Sequence, residues 1–325
     1  MVKKMKNKRK IRTFATVFLM LVIIAVIVVG IHGSREEDKY KNISLIVYGN
    51  DSARWENLRQ GAELAAADEN CEISLITMSD ESDYEEQIRL IKREIEKGTD
   101  ALLIAACNSQ KLADYFDNEG IKLPVTFVET GINSKKSYPT ITVNDYELGK
   151  ALGEELVKSE RANIKVAIIC ENEERESVEA RKQGVRDTIS GRVKTIVEWK
   201  RNDYEKDAIM RTFLQRELVS EAVDVIVVLD NSVTDSLINA LDNLNRSSKV
   251  YAISTSAESV YSLDEGKIKA LVYPAEFGIG YLGAKYIFDD KNRNIYDENN
   301  VYYRVVKKDN MYDYNNETLL FPFVK

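Results

Sequence analysis

Short runs of apolar, mostly β-branched residues recur from residue 43 onward, and each is followed by a polar turn and a stretch with apolar residues three and four apart. ISLIVY (43–48), EISLIT (72–77), ALLIAA (101–106), LPVTFV (123–128) and TITV (140–143) read as strands in the first half. IKVAIIC (164–170), TIVEW (195–199), VDVIVVL (223–229), KVYAIS (249–254) and IKALVY (268–273) repeat the unit in the second. Between them, residues 52–68, 84–96, 110–118, 147–158, 177–189, 204–219, 233–244 and 258–265 carry helical spacing, with Gly98 and Gly120 placed as helix stops. Strands apolar on both faces, alternating with amphipathic helices, imply parallel sheets covered on both sides. Right-handed crossovers make such sheets doubly wound. Roughly 290 residues follow the N-terminal stretch, too many for one ordinary core and enough for two lobes. The fold class expected is therefore α/β, with two doubly wound parallel-sheet lobes. Ligands bind such sheets beyond the carboxyl ends of the strands, so functional residues are expected just after ISLIVY, IAAC, TFV, AIIC, VVL and AIS.

The N-terminal stretch has a different character. Phe14 to Ile31 contains eighteen residues without a charge, which as a helix reaches roughly 27 Å, close to the hydrocarbon thickness of a bilayer. Seven cations and no acid lie in residues 1–33, all seven ahead of this run, which places the N-terminus in the cytoplasm and the body outside. A cleaved signal peptide is the rival reading; it needs a shorter apolar core and a small-x-small cleavage site, and VVGIHGSRE is a poor one. No cysteine follows the run, which excludes lipoprotein attachment at this point. The expected organisation is a basic segment at 1–13, a single transmembrane anchor at 14–32, lobe one at 42–143 plus 275–300, and lobe two at 144–274 plus 301–325.

Several kinds of chemistry are missing. The chain has one histidine, His32, at the edge of the apolar run, so Ser-His-Asp and Cys-His catalysis and multi-histidine metal sites have no partners to draw on. No GxxxxGK[ST] loop occurs. Cys71, Cys107 and Cys170 form no CxxC pair and read as small buried hydrophobes. Beyond residue 33 the chain has 39 basic and 53 acidic side chains, a balance that repels phosphate backbones and argues against a nucleic-acid partner. Acid pairs such as Glu36-Glu37 and Glu173-Glu174 read as solvated surface. No cofactor or metal is expected.

Five segments in order resemble a known family. They are ISLIVYGNDSARWENLRQGAELAAA, EKGTDALLIAACNS, PTITVNDYELGKALGEEL, SVEARKQGV and YPAEFGIGYLGAKYIF. Their sequence and spacing resemble the type I periplasmic binding proteins, the ribose- and galactose-binding class that shares its fold with lactose-repressor-type regulators. The resemblance implies a three-crossing hinge between the lobes, and it implies site residues. Trp55 matches an aromatic that stacks on a sugar ring, and it also fits a core tryptophan on a helix face. Ser52 and Arg54 share its loop. Glu129 matches a carboxylate that accepts sugar hydroxyls. Arg181 matches an arginine that grips ligand oxygens. Tyr204 matches a second aromatic. Asp230 and Asn231 match a ligand-binding pair and fit helix capping equally. Ser254, with Thr255, stands where sugar binders usually have aspartate, and Thr130 stands where they often have arginine. These departures leave the sugar open; Arg54 and Arg181, with few opposing acids, would suit an acidic or zwitterionic ligand.

The expected function is thus a membrane-anchored, extracytoplasmic solute-binding protein, not an enzyme, closing on a small polar, sugar-like ligand and serving a membrane permease or a sensor kinase. A carboxylate-dependent hydrolase and a sensor domain without a small-molecule ligand are the alternatives.

Overall fold

The computed structural model describes residues 20, 40–201, 210–246, 248–289 and 301–321. The chain divides into two compact units, Met1–Lys41 and Asn42–Lys325, and the second holds both sheets. The expected anchor at 14–32 lies outside the described residues save Met20. Among the described residues no helix is long and apolar enough to cross a membrane.

In the first lobe β1 (Asn42–Val47) leads through a turn of 3-10 helix at Ala53–Trp55 to α1 (Glu56–Ala67), followed by β2 (Glu72–Thr77), α2 (Tyr84–Lys97), β3 (Ala101–Ile104), α3 (Ser109–Glu119), β4 (Val125–Val128) and β5 (Thr140–Ile141). The sheet order is β2-β1-β3-β4-β5, all parallel. In the second lobe come α4 (Asp145–Ser159), β6 (Lys165–Ile169), α5 (Glu176–Ile189), β7 (Thr195–Trp199), α6 (Met210–Ser220), β8 (Val225–Val228), α7 (Asn231–Asn243), β9 (Lys249–Ile253), α8 (Ala257–Asp264) and β10 (Ile268–Pro274). The chain then forms α9 (Glu276–Phe288), β11 (Tyr303–Val306) and α10 (Tyr314–Leu320). The second sheet runs β11-β10-β9-β8-β6-β7. Apart from β11, both sheets share one winding in which the first strand of each lobe lies between the second and third. That places the topological switch points at β1/β3 and β6/β8.

Burial explains why the strands are legible. The central strands β1, β3 and β8 are buried almost throughout, whereas the edge strands β2 and β7 are only half covered and carry polar residues. Helix ends follow local chemistry. Asp83 accepts from the Glu86 amide to cap α2, which stops at Gly98 with φ +87, and α3 stops at Gly120 with φ +60.

Two elements were not expected. β11 pairs antiparallel with β10, so the second sheet is mixed rather than wholly parallel, and α10 follows it. Tyr303–Val306 is only four residues long and half covered on a sheet edge, which leaves it little periodic signal.

Chain order also sends α9 back to the first sheet, where it packs on α1 and β4. Gly278, Gly280 and Gly283 of α9 have the G-x-G-x-x-G spacing of a dinucleotide loop, yet they sit inside a helix. There Gly280 lets the backbones of α9 and α1 touch: a Cβ would lie 1.8 Å from the Leu58 carbonyl oxygen. Gly149 and Gly184 do the same between α4 and α5 in the other lobe, 1.9 Å from the Arg181 oxygen and 2.1 Å from the Tyr146 oxygen. Two crossings between lobes are described, at 142–144 and 274–276; the expected third lies outside the described residues.

Candidate functional site

A cavity of about 590 Å³ opens between the carboxyl edges of the two sheets, within the size range of small-molecule sites. Its walls come from both lobes. Tyr48 ends the first strand run, Glu129 follows β4, Asp230 and Asn231 follow β8, and Ser254 to Glu258 follow β9. These are the places that the winding rule indicates. The loop after β6, which gives Arg175 to the lining, is also bound to the loops after β3 and β4. Asn172 Nδ2 donates to the Cys107 carbonyl at 2.7 Å, the Ser109 amide donates to the Glu174 carbonyl, and the Gly131 amide donates to Glu176 Oε1. The 171–181 segment of lobe two is thereby fastened to lobe one.

At the heart of the site Arg181 is wholly engaged in holding carboxylates. Its Nε donates to Asp145 at 2.7 Å, one terminal nitrogen to Glu129 at 2.9 Å and the other to the Leu229 carbonyl at 3.3 Å. All three side chains are buried. Burial pushes Asp145 up to about 7 against the pull of Arg181. Glu129 goes the other way: burial raises it, but Arg181, Arg175 and Arg54 together hold it below the usual carboxylate range. Glu129 also accepts from the Tyr48 hydroxyl at 2.8 Å, and it stands in left-handed backbone at φ +66, a strained conformation that sequence gives no sign of.

The aromatic wall is Tyr48. Trp55 is 1% exposed and absent from the lining. It meets the Tyr48 ring edge-on at 4.8 Å and donates its indole N–H to the Tyr48 carbonyl, so of its two readings the structure places it in the core behind Tyr48. Two guanidiniums flank this pair: Arg54 lies 4.3 Å from the Trp55 ring centroid and Arg175 lies 4.2 Å from that of Tyr48. Arg54 pairs with Glu276 at 2.6 Å.

Of the expected site residues, Arg54, Glu129, Arg181, Asp230, Asn231 and Ser254 line the cavity. Ser52 is exposed outside the lining, and Tyr204 lies outside the described residues. Asp230 both caps α7, accepting from the Val233 amide, and accepts from the Glu171 amide at 2.7 Å. Asn231 grips Thr255 from both ends, accepting from its amide at 2.7 Å and donating to its hydroxyl at 3.1 Å. Residues missed in the sequence include Tyr48, Glu81, Arg175, Asp235, Tyr273 and Glu276. Arg175 hides in the acid-rich stretch ENEERES next to Glu173-Glu174, yet it is 1% exposed and reaches Glu81 of lobe one at 3.4 Å and Asp230 of lobe two at 3.9 Å.

The expectation of few opposing acids is overturned: among the described residues seven carboxylates line the cavity against three guanidiniums. Acids from separate strand ends converge only once the sheets assemble. All three cysteines are free, Cys71 and Cys107 buried and Cys170 partly so. Burial pushes the Cys107 thiol up to about 12, leaving it inert.

The sequence profile of the periplasmic binding protein domain matches residues 43–289. The chain belongs to this family of solute-binding domains and is not an enzyme. Among solved structures it is similar to a carbohydrate transporter solute-binding protein from Agrobacterium radiobacter in complex with D-arabinose, at 18% identity and TM-score 0.73, covering 86% of this chain and 99% of that one. An ABC transporter solute-binding protein from Agrobacterium vitis with bound D-fucose aligns at 15% identity and TM-score 0.75, covering 86% and 100%. A glucose-galactose binding protein from Geobacillus stearothermophilus aligns at 16% identity and TM-score 0.70, covering 84% and 99%. No curated protein sequence matches the chain.

Proposed function

We propose that this chain is an extracytoplasmic receptor, anchored by its N-terminal apolar run, that closes its two lobes on a sugar-like molecule. The closed form then serves a membrane permease or a sensor kinase. The observation that carries the reading is a cavity between the sheet edges whose polar groups come from both lobes. Arg54, Tyr48 and Glu129 approach from one side, and Asp230, Asn231 and Ser254 from the other. A ligand touching both sets favours the closed arrangement, because only that arrangement makes both sets of contacts. Dense hydrogen-bonding groups around an aromatic wall suit a polyhydroxylated ring with apolar C–H faces. The sugars named with the similar structures point the same way.

The test is thermal unfolding of the full chain in detergent against sugars of every charge class, nucleosides and amino acids. A true ligand at a hundredfold excess over its Kd stabilises by about 2.7 kcal/mol. The shift should shrink in Arg54→Gln. If nucleosides or amino acids stabilise the protein and no sugar does, the sugar reading falls. If nothing does, the receptor reading falls.

A further inference from the structure

Charge is unevenly matched around the cavity. Arg181 and Arg175 stand among Glu129, Glu81 and Asp230. A second group of acids has no such company. Asp51 comes from the loop after β1, Asp235 from α7 and Glu258 from the start of α8, so the group is drawn from both lobes. The guanidinium whose charge bears on Asp235 is that of Arg54, and it is already paired with Glu276 at 2.6 Å. The Asp235 carboxylate accepts from the Ser256 hydroxyl at 2.6 Å, through Oδ1. Burial, then Glu258 and Asp51, push its carboxyl up to about 6.

An independent observation points to a missing donor. Glu276 lines the same cavity and is 4% exposed. Its Oε1 receives Arg54, while its Oε2 has no partner within normal hydrogen-bond geometry among the described residues; burial raises this carboxyl, and the Arg54 charge, the nearby Thr255 hydroxyl and the Arg181 charge pull against it. A buried carboxylate oxygen without a donor is costly, so a donor from the ligand is worth more there than at a solvated acid. Among the described residues no three acidic, cysteine or histidine side chains converge closely enough to hold a metal ion. An organic cation has several N–H donors and tolerates wider spacing.

Resting on the sugar-binding reading above, we propose that the ligand is an amino sugar. Its protonated amine lies against Asp235, between Asp51 and Glu258, and the same molecule donates to Glu276. Because Asp51 belongs to one lobe and Asp235 and Glu258 to the other, bringing the lobes together without a cation sets like charges against each other. The ammonium removes that repulsion, so charge neutralisation and closure are one event.

Isothermal titration of the full chain in detergent with D-glucosamine, D-galactosamine and D-mannosamine, each beside its neutral parent and its N-acetyl derivative, tests this. At least one amino sugar should bind about tenfold or more tightly than both relatives, the gain expected of a charge-assisted over a neutral hydrogen bond. The preference should collapse in Asp235→Asn. The comparison within the unaltered protein stands even if that variant folds poorly. Equal or tighter binding of the neutral sugars overturns the amine while leaving the sugar receptor intact. Binding of no sugar overturns both.

Discussion

Helix α9 contains a matched pair of glycines that separates helix propensity from close packing. Alanine is favoured over glycine inside a helix by about 1 kcal/mol. At Gly278 an added methyl meets, among the described residues, only Val301 Cγ1, at an ordinary 3.6 Å, so Gly278→Ala should leave stability unchanged or raise it by up to about 1 kcal/mol. At Gly280 the methyl would stand 1.8 Å from the Leu58 carbonyl oxygen, 2.8 Å from its carbon and 3.1 Å from the Ala62 nitrogen. Contacts of a Cβ below 3.0 Å essentially do not occur, so α9 and α1 have to part by at least 1.2 Å. The obstacle is helix backbone, which cannot swing aside as a side chain does. Overpacking of this kind costs about 1–3 kcal/mol or more, which outweighs the propensity gain. The thermal midpoint of Gly280→Ala should therefore fall by roughly 2–12 °C relative to Gly278→Ala, at about 2–4 °C per kcal/mol for a body of this size. Parting these helices also disturbs the Arg54–Glu276 pair at their cavity ends, so ligand affinity should drop in the same variant. A Gly280→Ala protein as stable as Gly278→Ala would refute the close approach and the reading of this motif as a packing device.

Three further outcomes follow from the site. Arg181→Met leaves Asp145 and Glu129 buried without their partner and should cost about 3–5 kcal/mol in chemical unfolding at pH 8; the deficit should shrink at pH 5, where both acids take up protons, and a deficit independent of pH would count against the pairing. In the unaltered protein Asp145 and Glu171 are pushed up to about 7 and Asp235 to about 6, chiefly by burial. Folded values raised above the unfolded ones mean that the folded state binds more protons, so stability should rise as pH falls from about 8 towards 5, near the unfolded carboxylate range of about 4. His32 is the one imidazole of the chain, and a midpoint that falls over that window would contradict the burial of these acids. Asn231→Ala removes both bonds that hold Thr255 at the cavity wall, at about 0.5–1.5 kcal/mol each, and should weaken ligand binding measured by titration; unchanged affinity would show that this loop does not need fixing.

What the sequence determined by itself was the two-lobe α/β architecture and where a candidate site would lie. Central strands such as ALLI and VIVV are buried on both faces, so each announces itself without reference to any other part of the chain. Helix stops such as Gly98 are equally local, because the left-handed backbone that ends a helix favours glycine. Once parallel winding is inferred, the carboxyl ends of the strands follow as the site, and Glu129, Asp230, Asn231 and Ser254 were found there. Tertiary structure alone decided which side chains face the cavity and what each is bonded to. Tyr48 and Trp55 are seven residues apart and equally aromatic; only the packing of the 3-10 turn puts Tyr48 in the wall and Trp55 behind it. Arg181 lies in a recognisable motif, but Asp145 is 36 residues away and Glu129 is 52, so its engagement with them is invisible in one dimension. Arg175 reads as one cation in an acidic surface loop until the lobes meet around it. The excess of carboxylates arises the same way, from strand ends spread over more than two hundred residues. Backbone periodicity is a local property written every few residues, whereas a binding cavity is a set of long-range coincidences that exists only when both sheets are assembled.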